Sequence, residues 1–212
     1  MDINQIFKVL LAPYEGYSST AIFLEVVAVF FGLLSVWYAK KNKIAVYPTG
    51  MLSTAIFVYL LLKAGLLGDM MINAYYFIMS VYGWYFWTRS REDVPQHPIG
   101  WTTVIEQKWS VFIFFATLIF VSGVYHFYER LNHWTAYVDT VTTAIFFVGM
   151  WLMARRKIEH WIFWIVGDLI SIPLYLYKGL ALTSFQYLIF TLIAIFGYRS
   201  WKKYCNSPQA IV

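Results

Sequence analysis

The chain has 212 residues, of which 60% are hydrophobic and only 13% charged, with a mean hydropathy of +0.60. A soluble domain carries roughly a quarter charged residues, so this composition excludes a soluble enzyme, a disordered chain and a secreted disulfide scaffold. The net charge of +5 does not indicate a nucleic-acid partner, because the basic residues stand between apolar segments. The single cysteine, Cys205, can form no intramolecular disulfide.

Seven apolar segments of about 20 residues predict transmembrane helices, each long enough to cross a ~30 Å hydrocarbon core. They cover residues 17–39, 44–62, 69–88, 108–127, 133–154, 158–177 and 180–200. Before them, apolar residues at helical spacing predict a short N-terminal interfacial helix within residues 1–16. Residues 89–107 are hydrophilic and are interpreted as a connecting loop.

Basic residues predict the orientation in the membrane. If the spans alternate, twelve basic residues fall on the side of the C-terminus and four on the other. The basic-rich side is cytoplasmic by the positive-inside rule, so we expect the N-terminus outside and residues 204–212 as a cytoplasmic tail.

The sequence aligns with itself, without gaps, at an offset of 114 residues. Identical matches are Trp37 with Trp151, Lys43-Ile44 with Lys157-Ile158, Gly65 with Gly179, Gly83 with Gly197, and Trp87 with Trp201. Residues 17–88 therefore form one predicted repeat and residues 133–203 a second, joined by the loop and linker helix of 89–132. Because the offset is four spans, both repeats face the same way, which predicts an all-α, parallel 3+1+3 membrane fold of the SWEET-like type.

Carboxylates within the spans are candidate functional groups, because burying a charge in the membrane costs ~2.5–3.5 kcal/mol. Glu25, Asp139 and Asp168 lie inside predicted spans, and no basic residue falls deep in any span. Asp139 matches Glu25 in the repeat, which also suits a structural pair.

Two stripes of aromatic and polar residues at helical spacing predict a binding site between the repeats. One contains Trp161, Trp164, Asp168, Ser171 and Tyr175; the other contains Asp69, Asn73, Tyr76, Ser80, Gly83 and Trp87. Aromatic faces and a carboxylate together attract a flat cation. Gln186, the one strong hydrogen-bonding side chain of the seventh span, could reach the same cavity.

Sequence patterns of catalysis are missing. The chain has no phosphate-binding loop, no metal-binding histidine motif and no nucleophile beside a histidine and a carboxylate. His97, His126, His133 and His160 fall in loops or at span ends, where we expect solvated side chains. We therefore expect neither an enzyme nor a cofactor or metal.

The sequence resembles the PnuC family of vitamin transporters over roughly residues 20–203. The resemblance rests on Trp161-Ile-Phe-Trp164, Asn73-Ala-Tyr-Tyr76, Tyr82-Gly83-Trp84 and the 3+1+3 repeat. It implies substrate contacts from Trp161, Trp164, Asn73 and Tyr76, whereas Asp168, Gln186 and Asp139 are added from their positions. It also implies facilitated diffusion through the bacterial inner membrane, a homotrimer, and retention of the vitamin by a cytoplasmic kinase.

The resemblance leaves two substrates open. The usual substrate of the family is nicotinamide riboside. Asn73 and Asp168, where enteric members tend to carry glutamine and asparagine, look more like a thiamine-carrying branch. Both molecules are cationic, so charge does not decide between them; a neutral, larger flavin fits less well. A proton-coupled transporter that uses Glu25, Asp139 or Asp168, and a vitamin receptor without transport, are the alternatives.

Overall fold

The computed structural model describes residues 18–63, 67–91, 94–95, 98–129, 131, 133–178 and 181–206. Among these residues are seven α-helices: α1 (Ser19–Lys40), α2 (Val46–Lys63), α3 (Leu67–Trp87), α4 (Val104–Phe127), α5 (Trp134–Ala154), α6 (His160–Tyr177) and α7 (Ala181–Asn206). Two short strands, β1 (Ser90–Arg91) and β2 (Val94–Pro95), pair antiparallel in the loop after α3. The all-helical prediction is confirmed; the proposed interfacial helix lies outside the described residues.

Five of the described helices are long and apolar enough to cross a membrane: α1, α2, α4, α5 and α6. Many of their large apolar side chains are exposed, such as Phe23, Ile119 and Leu169. A soluble protein does not expose apolar surface on this scale, so the helical bundle suits a lipid environment.

Two helix ends differ from the hydropathy prediction. α4 begins at Val104 rather than residue 108, because Thr103 and Glu106 form a capping box that satisfies the first backbone N–H groups. α7 continues to Asn206 rather than ending at residue 200. Hydropathy locates the apolar part of a helix, whereas caps and helix propensity decide where the helix stops.

The turns between α1 and α2 and between α5 and α6 have the same backbone path. Asn42 and Arg156, which are 114 residues apart, both adopt left-handed conformations, with φ of 52° and 57°. Asn42 N–H donates to Ala39 O, and Arg156 N–H donates to Met153 O, both at 2.9 Å. Equivalent sequence positions thus reverse the chain in the same way.

Helix packing follows a matching pattern in helices α1–α3, hereafter the first half, and helices α5–α7, the second half. α2 packs between α1 and α3, and α6 packs between α5 and α7. Across the halves, α1 contacts α7, and α3 contacts α5. Two indoles hydrogen-bond across these contacts: Trp201 Nε1 donates to Ala39 O at 2.8 Å, and Trp87 Nε1 donates to Ala154 O at 3.1 Å.

These indoles belong to a buried aromatic cluster at the end of the bundle where the basic residues lie, hereafter the basic end. The cluster contains Tyr47, Trp87, His160, Trp161 and Trp201. It closes the bundle between the two helical turns and joins both halves. The largest fully buried side chains of the fold, Trp161, Trp201 and Tyr47, all belong to this cluster.

Glycines on the third helix of each half make room for this cluster. A Cβ on Gly197 would lie 2.6 Å from ring carbons of Trp161, and a Cβ on Gly83 would collide with the Tyr47 ring. Tyr47 and Trp161 are 114 residues apart, as are Gly83 and Gly197. Close helix approach through glycine is the usual basis of packing in membranes, where dispersion replaces the hydrophobic effect.

Ion pairs and hydrogen bonds anchor helix α4 and the loop before it to the second half. Glu106 is buried and pairs with Arg155 Nη2 at 3.2 Å and Lys157 Nζ at 2.9 Å. Gly100 forms a parallel bridge with Lys157, and Glu159 Oε1 accepts hydrogen bonds from the N–H and Oγ1 of Thr102. The loop predicted as a plain connector is thus a structural anchor at its C-terminal end.

We expect Gly197→Ala to lower the thermal unfolding temperature of the detergent-purified protein by several degrees, because overpacking a core costs about 1–3 kcal/mol. Gly123→Ala in α4 is the matched control, since a Cβ there meets nothing within 4 Å. Replacing this helical glycine by alanine should leave stability unchanged or raise it. Equal stability of both variants would contradict the packing argument.

Candidate functional site

A cavity of about 260 Å³ lies between the two halves, beside the aromatic cluster. Six helices line it, all except the linker helix α4. Its wall contains Val29, Gly32, Ser35, Val36, Gly50, Ser53, Thr54, Phe57, Asn73, Tyr76, Ser80, Phe146, Met150, Met153, Trp164, Asp168, Gln186, Tyr187 and Phe190. A mostly apolar chamber with a few convergent polar groups is typical of a small-molecule site.

The second half supplies an aromatic wall. Trp164 of α6 lies against α5, where a Cβ on Gly149 would be 2.5 Å from its ring. Phe146 lies against α6 in the same way, over Gly167, and stacks on Tyr187 with ring centroids 6.1 Å apart. The glycines hold both rings at fixed positions on the cavity wall.

Asp168 is the ionisable group of this wall. Its residue is only 4% exposed, one helical turn beyond Trp164. Among the described residues, no lysine or arginine forms an ion pair with its carboxylate. Burying a carboxylate without a counter-ion is costly, so the site is suited to a ligand that brings a positive charge.

Two amide side chains complete the polar part of the site. Asn73 of α3 and Gln186 of α7 both line the cavity, as does Tyr76, one turn beyond Asn73. An amide offers a donor and an acceptor, which can orient a polar ligand. The structure thus brings together five of the residues proposed from sequence: Asn73, Tyr76, Trp164, Asp168 and Gln186.

Trp161 does not line the cavity. It is fully buried behind Trp164, in an edge-on contact with ring centroids 5.5 Å apart. Its Nε1 has no hydrogen-bond partner among the described residues. The three-residue spacing places both indoles near one helix face, but the close approach to Gly197 draws Trp161 into the aromatic cluster.

Asp139 also lies away from the cavity wall, near the opposite end of the bundle. Its Oδ2 pairs with Nζ of Lys178, a residue just after α6. The sequence places no basic residue deep in a span, but Lys178 at the helix end reaches back to the carboxylate. A partner for Asp139 was therefore missed, because side chains near a helix end can snorkel.

His160 is not solvated, which corrects the expectation from its position. It is 0% exposed, its Nδ1 lies 2.6 Å from Lys157 O, and its ring packs on Trp161 and Trp201. The sequence places His160 at the start of a helix, where a solvated side chain is expected, but in the fold this side chain is buried within the aromatic cluster. His160 is thus part of the closure between the cavity and the basic end.

Sequence reasoning missed the small residues that line the first half of the cavity. They are Gly32, Ser35 and Ser53; Phe146 of the second half was missed too. The offset of 114 could have found all four, because it pairs Gly32 with Phe146, Ser35 with Gly149 and Ser53 with Gly167. Small residues carry no hydropathy or charge signal of their own, so pattern analysis passed over them.

Comparison with known proteins gives a consistent result. A family model described as nicotinamide mononucleotide transporter matches residues 22–203. The nicotinamide riboside transporter PnuC of Escherichia coli K12 is 23% identical, over 95% of this chain and 94% of that protein. The riboflavin/roseoflavin transporter RibM of Streptomyces davaonensis is also 23% identical, over 85% of this chain and 84% of its own length.

A crystal structure of the vitamin B3 transporter PnuC is similar in fold, with a TM-score of 0.62 and 25% sequence identity. The similarity covers 85% of this chain and 81% of that one. The family model spans most of the chain, and the relatives and the solved structure agree with it; this protein belongs to the PnuC family of vitamin transporters.

Proposed function

We propose that the protein is a facilitative transporter for a small, cationic, aromatic vitamin. The observation that supports this best is the buried Asp168 carboxylate, which faces a cavity with an aromatic wall and has no cation paired to it among the described residues. A flat cation would stack on Trp164 while its charge lies beside Asp168. Cation–π attraction of this kind reaches about 2 kcal/mol or more when it is desolvated.

Nicotinamide riboside and thiamine both have this chemistry. The PnuC relatives named as nicotinamide riboside transporters support the first. Asn73 and Asp168, which resemble the thiamine-carrying branch, support the second. The relative named for riboflavin and roseoflavin supports a family whose members carry different vitamins, but a neutral flavin would leave Asp168 without a counter-ion.

We infer a seven-span, parallel 3+1+3 architecture of the SWEET-like type, with α1–α3 and α5–α7 as the repeats. It is supported by the equivalent turns at Asn42 and Arg156 and by the equivalent contacts of an aromatic ring with Gly83 and with Gly197. A cavity between such halves suits alternating access, in which one half rocks against the other around a fixed site.

The cellular setting is proposed from the same resemblance. The excess of basic residues at one end supports a cytoplasmic C-terminus in a bacterial inner membrane. In this scheme the protein is a homotrimer, and uptake is driven by a cytoplasmic kinase that phosphorylates the vitamin and so retains it.

Trp164→Ala should abolish most ligand binding while the protein stays inserted and monodisperse, because the variant removes the aromatic face of the site. Binding is measured by calorimetric titration of detergent-purified protein with thiamine and, separately, with nicotinamide riboside. Trp109→Ala is the matched control, since Trp109 is a half-exposed tryptophan of α4 outside the cavity. Unchanged binding by Trp164→Ala would place the site elsewhere.

Asp168→Asn should weaken binding of the cationic vitamin about tenfold or more, since it replaces a charge-assisted contact by a neutral one of the same shape. If the carboxylate serves as the counter-ion of thiamine, the affinity for thiamine falls more than that for nicotinamide riboside. An equal loss for both ligands would contradict this basis for choosing between them. Asp139→Asn, away from the cavity, is the control.

A second candidate is a proton-coupled transporter, favoured by the burial of Asp168 in a membrane-embedded chamber. Counterflow in sealed liposomes distinguishes the cases. A uniporter should exchange labelled vitamin without an imposed pH gradient and should not respond to one. Accumulation driven by a pH gradient, and lost in Asp168→Asn, would favour coupling; binding without exchange would indicate a receptor.

A further inference from the structure

Equivalent helix contacts line the two halves of the cavity, but the glycine and the larger residue of each contact exchange helices between the halves. In the first half, a Cβ on Gly32 would lie 3.1 Å from Ser53 Oγ. The residues 114 positions later are Phe146 and Gly167, and there a Cβ on the glycine would lie 2.5 Å from the phenyl ring. The same contact therefore carries a hydroxyl in one half and an aromatic ring in the other.

A second pair of contacts follows the same rule. A Cβ on Gly50 would lie 3.0 Å from Ser35 Oγ. The equivalent residues of the second half are Trp164 and Gly149, so the indole stands at the position of Gly50 and the glycine at the position of Ser35. The second half thus contributes aromatic rings to the cavity wall at contacts where the first half contributes small residues.

Three serines of the first half line the cavity: Ser35, Ser53 and Ser80, which we call the serine wall. Ser35 Oγ donates to Val46 O at 2.8 Å, and Ser53 Oγ donates to Ala28 O at 2.7 Å. A hydroxyl has one proton but two lone pairs, so both oxygens can still accept a hydrogen bond and can no longer donate one.

Ser80 differs from the other two. It is only 3% exposed and lines the cavity, and its Oγ would be 3.5 Å from a Cβ on Gly50. Among the described residues, its hydroxyl makes no hydrogen bond. Because Ser80 lines the cavity, a ligand group there can form the hydrogen bond that the described residues do not supply.

We propose that the serine wall is the subsite for the hydrogen-bond-donating part of the substrate, an amino or hydroxyl group, while the aromatic wall and Asp168 hold its cationic ring. This rests on the proposed function and extends it: the ligand must carry a flat cation at one end and N–H or O–H donors at the other. Ser35 and Ser53 select for donors because their own protons are committed to the backbone.

Ser80→Ala should weaken binding of the vitamin about three- to tenfold, the usual effect of losing one hydrogen bond. The matched control is Ser110→Ala, since Ser110 is a buried serine of α4 outside the cavity. This variant should bind the vitamin with the affinity of the unaltered protein. Ser80→Cys, which keeps the volume and weakens the hydrogen bond, replaces the alanine variant if that protein is not monodisperse.

Ligand analogues provide the decisive comparison. The probes are thiamine with its pyrimidine amino group replaced by hydrogen, and nicotinamide riboside without its 2′ and 3′ hydroxyls. We expect each analogue to bind Ser80→Ala and the unaltered protein equally, because the lost donor and the lost serine belong to one hydrogen bond.

The outcomes separate the subsite from the function. Full affinity of Ser80→Ala for the parent vitamin, with binding lost in Trp164→Ala, overturns the serine wall and leaves the proposed function intact. The same Ser80→Ala penalty for parent and analogue also overturns the serine wall, because the residue then acts on packing. No binding of either vitamin to the unaltered protein overturns both.

Discussion

The rest of this structure depends on close contacts between aromatic rings and glycines of neighbouring helices. Tyr47 on Gly83 and Trp161 on Gly197 close the bundle at the basic end, while Phe146 and Trp164 use Gly167 and Gly149 to form the cavity wall. In a membrane, lipid tails compete with any apolar side chain, so helices associate where close approach gains dispersion energy. The same kind of contact therefore provides both the rigid end of the bundle and the fixed wall of the site.

The polar side chains of the site differ in whether the protein itself supplies their partners. Ser35 and Ser53 are satisfied by backbone carbonyls and keep only acceptor capacity. Asp168, by contrast, is buried with no cation paired to it among the described residues. A cationic vitamin that stacks on Trp164 would compensate this charge. The aromatic cluster separates the cavity from the basic end, so passage of a ligand to that end would need movement of the cluster.

The sequence predicted the helices well and part of the cavity lining. Helix limits fell within a few residues of the hydropathy prediction except at Thr103 and at Asn206, where a capping box and continued helix propensity decide. Asn73, Tyr76, Trp164, Asp168 and Gln186 do meet at the cavity. Trp161 and Asp139 do not, because spacing along one helix cannot tell whether a side chain faces the cavity, a glycine on the next helix, or a lysine at a helix end.

By itself, the sequence determined an all-helical membrane protein, its internal offset and its family, because hydropathy and recurring tryptophans and glycines are visible along the chain. Only the tertiary structure decided what each glycine faces. Gly50 and Gly149 give no signal of their own in the sequence, yet Gly50 packs against the hydroxyl of Ser35 and Gly149 packs against the indole of Trp164. The physical reason is that a residue without a side chain acts only through its neighbour, and the neighbour is set by helix packing.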